Sequence, residues 1–166
     1  ERFFVASGTQ EIKRIASKDS KEPSIELTVI SKPIPPINSR PVKTDDVFLL
    51  PNRFLQSRDP AVIEHAERAT GGETDPSRIA TRLEKYVHDK LKKKNFSTAM
   101  ASAAEVAHRM EGDCTEHAVL LAAMLRAKKI PSRIATGLVY VETLNSFGGH
   151  MWTEAFLAGE WIPLDA

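Results

Sequence analysis

The sequence lacks the features that mark several common protein classes. It has one cysteine, Cys114, in 166 residues, so no disulfide can form within the chain. This excludes the disulfide-stapled framework of a small secreted domain but leaves the cell compartment open. No apolar run approaches the roughly 20 residues that a membrane-spanning helix needs, and no signal peptide is visible. We therefore expect no membrane span in this segment.

Charge of either sign is also not in excess. The chain has 23 basic and 22 acidic residues, and its formal net charge is +1. Because the charges are so evenly balanced, the chain has no long-range electrostatic field that would recruit nucleic acid or an anionic membrane. The one local basic run, residues 90–94, is typical of a solvated helix end. A composition of 42% hydrophobic and 27% charged residues indicates one folded globular domain without a nucleic-acid partner.

Residues 1–45 differ from the remainder of the chain. The alternating, β-branched segment 25–30 predicts a strand, and four prolines between positions 33 and 41 favour an extended connector. We interpret residues 1–45 as the end of a preceding β element and a proline-rich linker. Residues 46–166 then form the main domain. Because the chain begins at Glu1 rather than Met, and ends one residue after Asp165, we expect a larger polypeptide, truncated here at the C-terminus.

Helix signals occupy the first part of residues 46–166. Asp-Pro pairs at 59–60 and 75–76 are typical helix starts, and the apolar spacing after each pair predicts an amphipathic helix. A third helix is expected near residues 101–110, after a short loop at 95–97. A fourth helix begins at Cys114 and is apolar on nearly all sides, which is typical of a central core helix.

Strand signals occupy the second part. A tight turn at Ala158-Gly159 predicts that the strands on either side of it are antiparallel neighbours. The predicted strands are 133–141, 150–157 and 161–164. Helices followed by antiparallel strands indicate an α+β fold, with a central helix packed on the sheet.

Three side chains in this arrangement suit nucleophilic catalysis. Cys114 opens the core helix, where unpaired backbone amides and the helix dipole favour the thiolate, the nucleophilic form. His150 opens a strand after two glycines, and histidine is the usual base for a thiol. Asp165 follows the partner strand and could accept the other imidazole N–H, which would orient the ring. Alone, each has an ordinary structural explanation, but their order supplies a nucleophile, a base and an orienting group.

The sequence around these residues resembles the transglutaminase-like superfamily in three blocks of matching order and spacing. The similarity covers the chain from about residue 55 to the end. The blocks are Gly112-Asp113-Cys114-Thr115-Glu116-His117-Ala118 with its continuation to Leu138, Gly149-His150-Met151-Trp152-Thr153-Glu154, and Trp161-Ile162-Pro163-Leu164-Asp165-Ala166.

The resemblance implies a papain-like α+β fold, with Cys114 as nucleophile, His150 as base and Asp165 as orienting group. The sequence resembles the bacterial and archaeal members, many of which are considered peptide hydrolases rather than crosslinkers. Animal transglutaminases carry a tryptophan well before the cysteine, whereas the first tryptophan here is Trp152. The resemblance therefore favours hydrolysis of a peptide or protein amide over glutamine–lysine crosslinking, and no calcium-binding loop or cofactor is implied.

Three further residues are weaker candidates for the site. Trp152 shares the strand face of His150 and could shield the imidazole or line the cleft, unless it is a core residue. His117 lies three residues after Cys114 on the helix and could support it, or could be structural. Tyr140 could border the site. One donor to an oxyanion is expected from the Cys114 backbone N–H, as acyl transfer requires.

Two other interpretations compete with the thiol enzyme. A binding module could keep the fold without chemistry, since folds host many uses. A zinc site could use Cys114, His117, His150 or Asp165, but the paired-ligand spacing of ordinary zinc modules is absent, so we expect no metal. The acceptor of the acyl group, water or an amine, stays open.

Overall fold

The computed structural model divides the chain into two compact units, Glu1–Pro33 and Ile34–Ala166. In the first unit, strands β1 (Gln10–Ile15) and β2 (Ser24–Val29) pair antiparallel. β2 is the strand predicted at residues 25–30, whereas β1 was not predicted. The expected linker lies largely outside the described residues. The structure describes residues 10–15, 24–31, 33–35, 42–94 and 100–166.

Among its described residues, the second unit begins with four helices, all of which lie near the positions that the sequence predicts. Aspartate or serine side chains accept hydrogen bonds from the first-turn amides of every helix. A short 3₁₀ turn at Asp46–Phe48 precedes them, and the loop predicted at residues 95–97 lies outside the described residues. The helices are α1 (Pro60–Thr70), α2 (Pro76–Lys90), α3 (Ala103–Arg109) and α4 (Cys114–Ala127).

Helix α4 forms the centre of the core. Every residue from 116 to 126 is buried, because α1, α2 and α3 pack on one side of this helix and the sheet packs on the other. Within the described residues, no helix has both the length and the apolar character that crossing a membrane requires.

The described residues of the second unit form a three-stranded antiparallel sheet. Its strands, in spatial order, are β3 (Ser132–Val141), β4 (Ser146–Leu157) and β5 (Glu160–Leu164). β4 and β5 are joined by the predicted tight turn, in which Ala158 and Gly159 have φ of 53° and 91°. β4 starts four residues earlier than predicted, because residues 146–149 pair with the end of β3 despite their two glycines. A 3₁₀ turn, Glu142–Leu144, connects β3 to β4.

Hydrogen bonds set the direction of α4 on the sheet. Thr153 Oγ1 on β4 donates to the Ala118 carbonyl at 2.9 Å, and Ser132 Oγ, opposite Ala155, donates to the Ala122 carbonyl at 2.7 Å. The chain therefore runs in the same direction along α4 and β4. Moving towards the start of each element leads from these anchors to Cys114 on the helix and to His150 on the strand.

Candidate active site

Cys114 is the first residue of α4, as the sequence predicts, and its side chain is half-buried. The Asp113 carboxylate caps the helix by accepting the Thr115 backbone N–H at 2.9 Å. At the first helical position, the Cys114 N–H is one of the amides that have no partner within the helix. This free amide and the positive end of the helix dipole both lie at the start of α4, beside the sulfur.

The entry to α4 is held by a buried carboxylate. Glu116 is 2% exposed, and it accepts the backbone N–H groups of Ala101 at 2.9 Å and Asp113 at 3.1 Å. A Cβ on Gly112 would lie 2.2 Å from the Glu116 Cβ, so only glycine fits there. Burial alone would raise the pKa of Asp113, but hydrogen bonds from the Thr115 amide and hydroxyl outweigh it and lower that pKa.

His150 and Asp165 are in direct contact. His150 Nε2 lies 2.9 Å and 3.0 Å from the two carboxylate oxygens of Asp165. The last residue of β5, Leu164, pairs with Thr153 on β4. Asp165 therefore lies opposite Trp152, and His150 is its diagonal neighbour two residues away on β4. Because a carboxylate only accepts hydrogen bonds, Nε2 carries the proton and Nδ1 of a neutral ring is left to accept one. The imidazole is 23% exposed and the carboxylate 63%.

Trp152 lies beside His150 on the same strand face, as predicted. The two rings are nearly parallel, at 24°, with centroids 6.2 Å apart. The indole extends across Gly137, the residue paired with His150 on β3. A Cβ on Gly137 would lie 2.8 Å from the indole, so glycine provides the space for the ring. Sequence analysis missed this role of Gly137, which only the cross-strand register shows.

His117 contacts carbonyl groups at both ring nitrogens. Nδ1 lies 2.7 Å from the Ala166 oxygen, and Nε2 lies 3.0 Å from the Leu91 oxygen at the end of α2. Burial is the main cause that lowers the pKa of His117, the Lys94 charge adds to it, and the hydrogen bonds to the two carbonyls oppose it. His117 therefore links α4 to the residue that follows Asp165.

A short path of contacts connects His150 to α4. The Asp165 side chain contacts His150, and the next residue, Ala166, contacts His117 on α4. Cys114 lies three residues before His117, so the two side chains share a face of the helix, with Cβ atoms about 5–6 Å apart. The path joins the start of α4 to the His150–Asp165 pair at the same end of the sheet.

Glu84 on α2 also contacts Asp165, which sequence analysis did not predict. Its Oε1 accepts the Asp165 backbone N–H at 2.9 Å. Partial burial raises the pKa of Glu84, and the neighbouring Asp165 charge raises it further, while the hydrogen bond and His88 act in the opposite direction. No local pattern could have identified Glu84, because it is one of several charged residues on an amphipathic helix.

Tyr140 lies three residues after Gly137 on β3, about 10 Å further along the strand. Its ring packs against Phe147 with centroids 5.4 Å apart, and it is 51% exposed. The structure thus puts Tyr140 on the β3–β4 hairpin, whereas Trp152 adjoins His150.

Among the described residues, no group of three or more His, Cys, Asp or Glu side chains could hold a metal ion.

Comparison with protein families gives one match, to the model described as the transglutaminase-like superfamily. It covers residues 63–166, which is more than half of the chain. No curated protein matches the chain. The family match agrees with the mixed helix and antiparallel-sheet architecture and confirms the fold class that the sequence predicts.

Solved structures give the same fold at low sequence identity. A protein from Cytophaga hutchinsonii, described as a candidate cysteine protease, has a TM-score of 0.66 and 20% identity, over 97% of this chain and 67% of its own. The periplasmic domain of TgpA from Pseudomonas aeruginosa, bound to ethylmercury, has a TM-score of 0.52 and 20% identity over 71% of this chain. This chain spans 46% of that domain.

Proposed function

Because the chain belongs to the transglutaminase-like superfamily, we propose that it cleaves amide bonds by thiol-dependent acyl transfer. Cys114 is the nucleophile, His150 the acid–base group and Asp165 the group that orients the imidazole. The observation that carries this proposal is the path from His150 through Asp165 and Ala166 to His117, one helical turn from Cys114.

The first half of the reaction forms a thioester. His150 Nδ1 takes the thiol proton of Cys114, and the thiolate sulfur attacks the amide carbonyl carbon. The Cys114 backbone N–H donates to the oxygen on which negative charge develops. As the C–N bond breaks, the imidazolium gives its proton to the leaving amine. Asp165 accepts from Nε2 throughout and stabilises the imidazolium.

The second half releases the acyl group to water. His150 removes a proton from the water as its oxygen attacks the thioester carbon, and the C–S bond breaks to leave a carboxylic acid. The imidazolium then returns a proton to the sulfur, so the enzyme is regenerated without a cofactor. An amine in place of water would give a new amide, and the mass of the product distinguishes the two acceptors.

The reactivity of the single thiol tests this proposal. We expect the alkylation rate of Cys114 to be half-maximal at a pH well below about 8.5, the value for a free cysteine. His150→Ala should move this midpoint up towards that value. The matched control is His108→Ala, which removes an exposed histidine on α3 and should leave the midpoint unchanged.

Peptide amides then provide the test of turnover. Cys114→Ser should reduce their hydrolysis on the order of a thousandfold or more, and mass spectrometry of the native protein should detect the acyl-thioester. An alkylation midpoint that is the same in the native protein and in His150→Ala would contradict the proposal and support a binding module that keeps the fold.

A further inference from the structure

The residue that orients the imidazole is itself held from two sides. Its backbone N–H donates to Glu84 on α2 at 2.9 Å, and the carbonyl of the following residue faces His117 on α4 at 2.7 Å. Asp165 lies just beyond Leu164, the last residue of β5 to pair with β4. Since the sheet no longer fixes the backbone at this point, these two contacts from the helices do so.

The position of Glu84 is electrostatically unfavourable. It lies next to a second carboxylate, Asp165, and partial burial together with that charge raises the pKa of Glu84. The groups that face it are Asp165 after β5 and His88 one turn further along α2. Perturbed carboxylates that contact a specific charged partner are concentrated at functional sites. The hydrogen bond from the Asp165 N–H keeps Glu84 in this position.

We propose that Glu84 is a positioning residue of the active site, which accepts the Asp165 backbone N–H and thereby directs the Asp165 carboxylate at His150. This inference rests on the proposed function, since it assigns Glu84 to the same triad. The role assigned to Glu84 is exerted through its hydrogen bond to Asp165.

The consequence of losing this hydrogen bond follows from the exposure of Asp165. Its side chain is 63% exposed, so an unanchored backbone lets the carboxylate rotate into solvent. The imidazolium of His150 then loses its partner, and less of the Cys114 thiol is present as thiolate at neutral pH. Small displacements of an orienting group reduce rates by up to about a hundredfold.

The test compares four variants of the full chain by their alkylation rates across pH. Glu84→Ala should slow alkylation at pH 6 by roughly three- to tenfold. It should also move the midpoint upwards, which is the change expected for Asp165→Asn. Glu84→Gln should stay close to the native protein, because its amide oxygen can accept the same hydrogen bond. The control Asp89→Ala removes an exposed carboxylate, paired with Lys85, from the same helix and should change nothing.

Three outcomes decide the inference. If Asp165→Asn changes the pH midpoint of alkylation and Glu84→Ala does not, Glu84 has no positioning role, and the result still supports the proposed triad. If Glu84→Gln is as impaired as Glu84→Ala, the charge matters and the inference is wrong. If Glu84→Ala has no further effect when Asp165→Asn is present, the two act as one unit, as we expect.

The same experiment separates this inference from the proposed function. When neither His150→Ala nor Asp165→Asn changes the midpoint, the triad itself is absent and the inference fails with it. Circular dichroism checks that each variant folds. If Glu84→Ala does not fold, Glu84→Asp is used in its place. The aspartate carboxylate keeps the negative charge, but its side chain is one methylene too short to reach the Asp165 N–H. The alkylation rate of Glu84→Asp should then be as low as the rate predicted for Glu84→Ala. An alkylation rate equal to that of the native protein would overturn the inference.

Discussion

The two histidines of the candidate site differ in what their ring nitrogens contact. His150 has one nitrogen on the Asp165 carboxylate, and its other nitrogen is available to exchange a proton with a thiol. His117 has a carbonyl oxygen at each nitrogen, so a neutral ring can donate to only one of them. We expect His150 to be the acid–base group and His117 to hold the chain next to Asp165.

The buried histidine predicts a dependence of stability on pH. Burial lowers the pKa of His117 in the folded chain below its ordinary value of 6.5. The unfolded chain therefore binds a proton more readily, and stability falls as the pH is lowered from about 6.5 towards the folded value. His117→Gln should reduce this fall, measured as the free energy of unfolding in urea at pH 7.5 and 5.5.

An exposed histidine provides the control for this measurement. His108→Gln on α3 changes a side chain that solvent already reaches, so the pH dependence should stay that of the native chain. An equal dependence in His117→Gln and in the native protein would show that burial of His117 does not affect stability in this range.

At the scale of elements, two helices begin with the same capping device in different surroundings. In α3, the Glu105 carboxylate accepts a hydrogen bond from the Ser102 backbone N–H at an exposed surface. In α4, Glu116 does the same for Asp113 but is buried, and it also accepts from Ala101. The start of α4 is thus fixed by a group that solvent cannot replace.

The two capping glutamates provide a matched pair of substitutions. Glu116→Ala leaves the buried N–H of Ala101 and the partly buried N–H of Asp113 without this partner. It should lower the free energy of unfolding by about 3 kcal/mol. Glu105→Ala should cost much less, because water replaces the lost acceptor there. Urea unfolding of both variants measures the difference, and equal losses would show that the burial of Glu116 is not what matters.

At the scale of the whole molecule, the hydrophobic core belongs to one unit. Among the residues that the structure describes, the buried core residues all lie between Leu55 and Leu164, within the unit Ile34–Ala166. The core includes α4 together with the faces of the other helices and the sheet that pack on it. The candidate site is therefore built entirely from elements of this unit.

Residues 34–166 should accordingly fold when produced without the first unit. We expect cooperative thermal unfolding with a Tm within about 4 °C of that of the full chain, a shift equivalent to roughly 1 kcal/mol. The alkylation rate of Cys114 should also match. Loss of cooperative unfolding in this fragment, followed by circular dichroism, would show that residues 1–33 contribute to the core's stability.

The local features of the fold could be predicted from the sequence. The starts of α1 and α2, the Ala158-Gly159 turn and the position of Cys114 at the first residue of α4 agree with the structure, and α3 starts two residues later than predicted. These features depend on capping groups, periodicity and turn conformations within a few residues. The start of β4 was predicted too late, because its glycines suggest a break whereas pairing with β3 continues through them.

The contacts that assemble the site depended on the tertiary structure. The hydrogen bond between Glu84 and Asp165 joins residues 81 positions apart, and that between His117 and Ala166 joins residues 49 positions apart. The sequence by itself determined which residues could act as nucleophile, base and orienting group. Only the packing of α2, α4 and the sheet around one core decided which side chains hold Asp165 at His150, because such distances depend on the whole chain rather than on neighbouring residues.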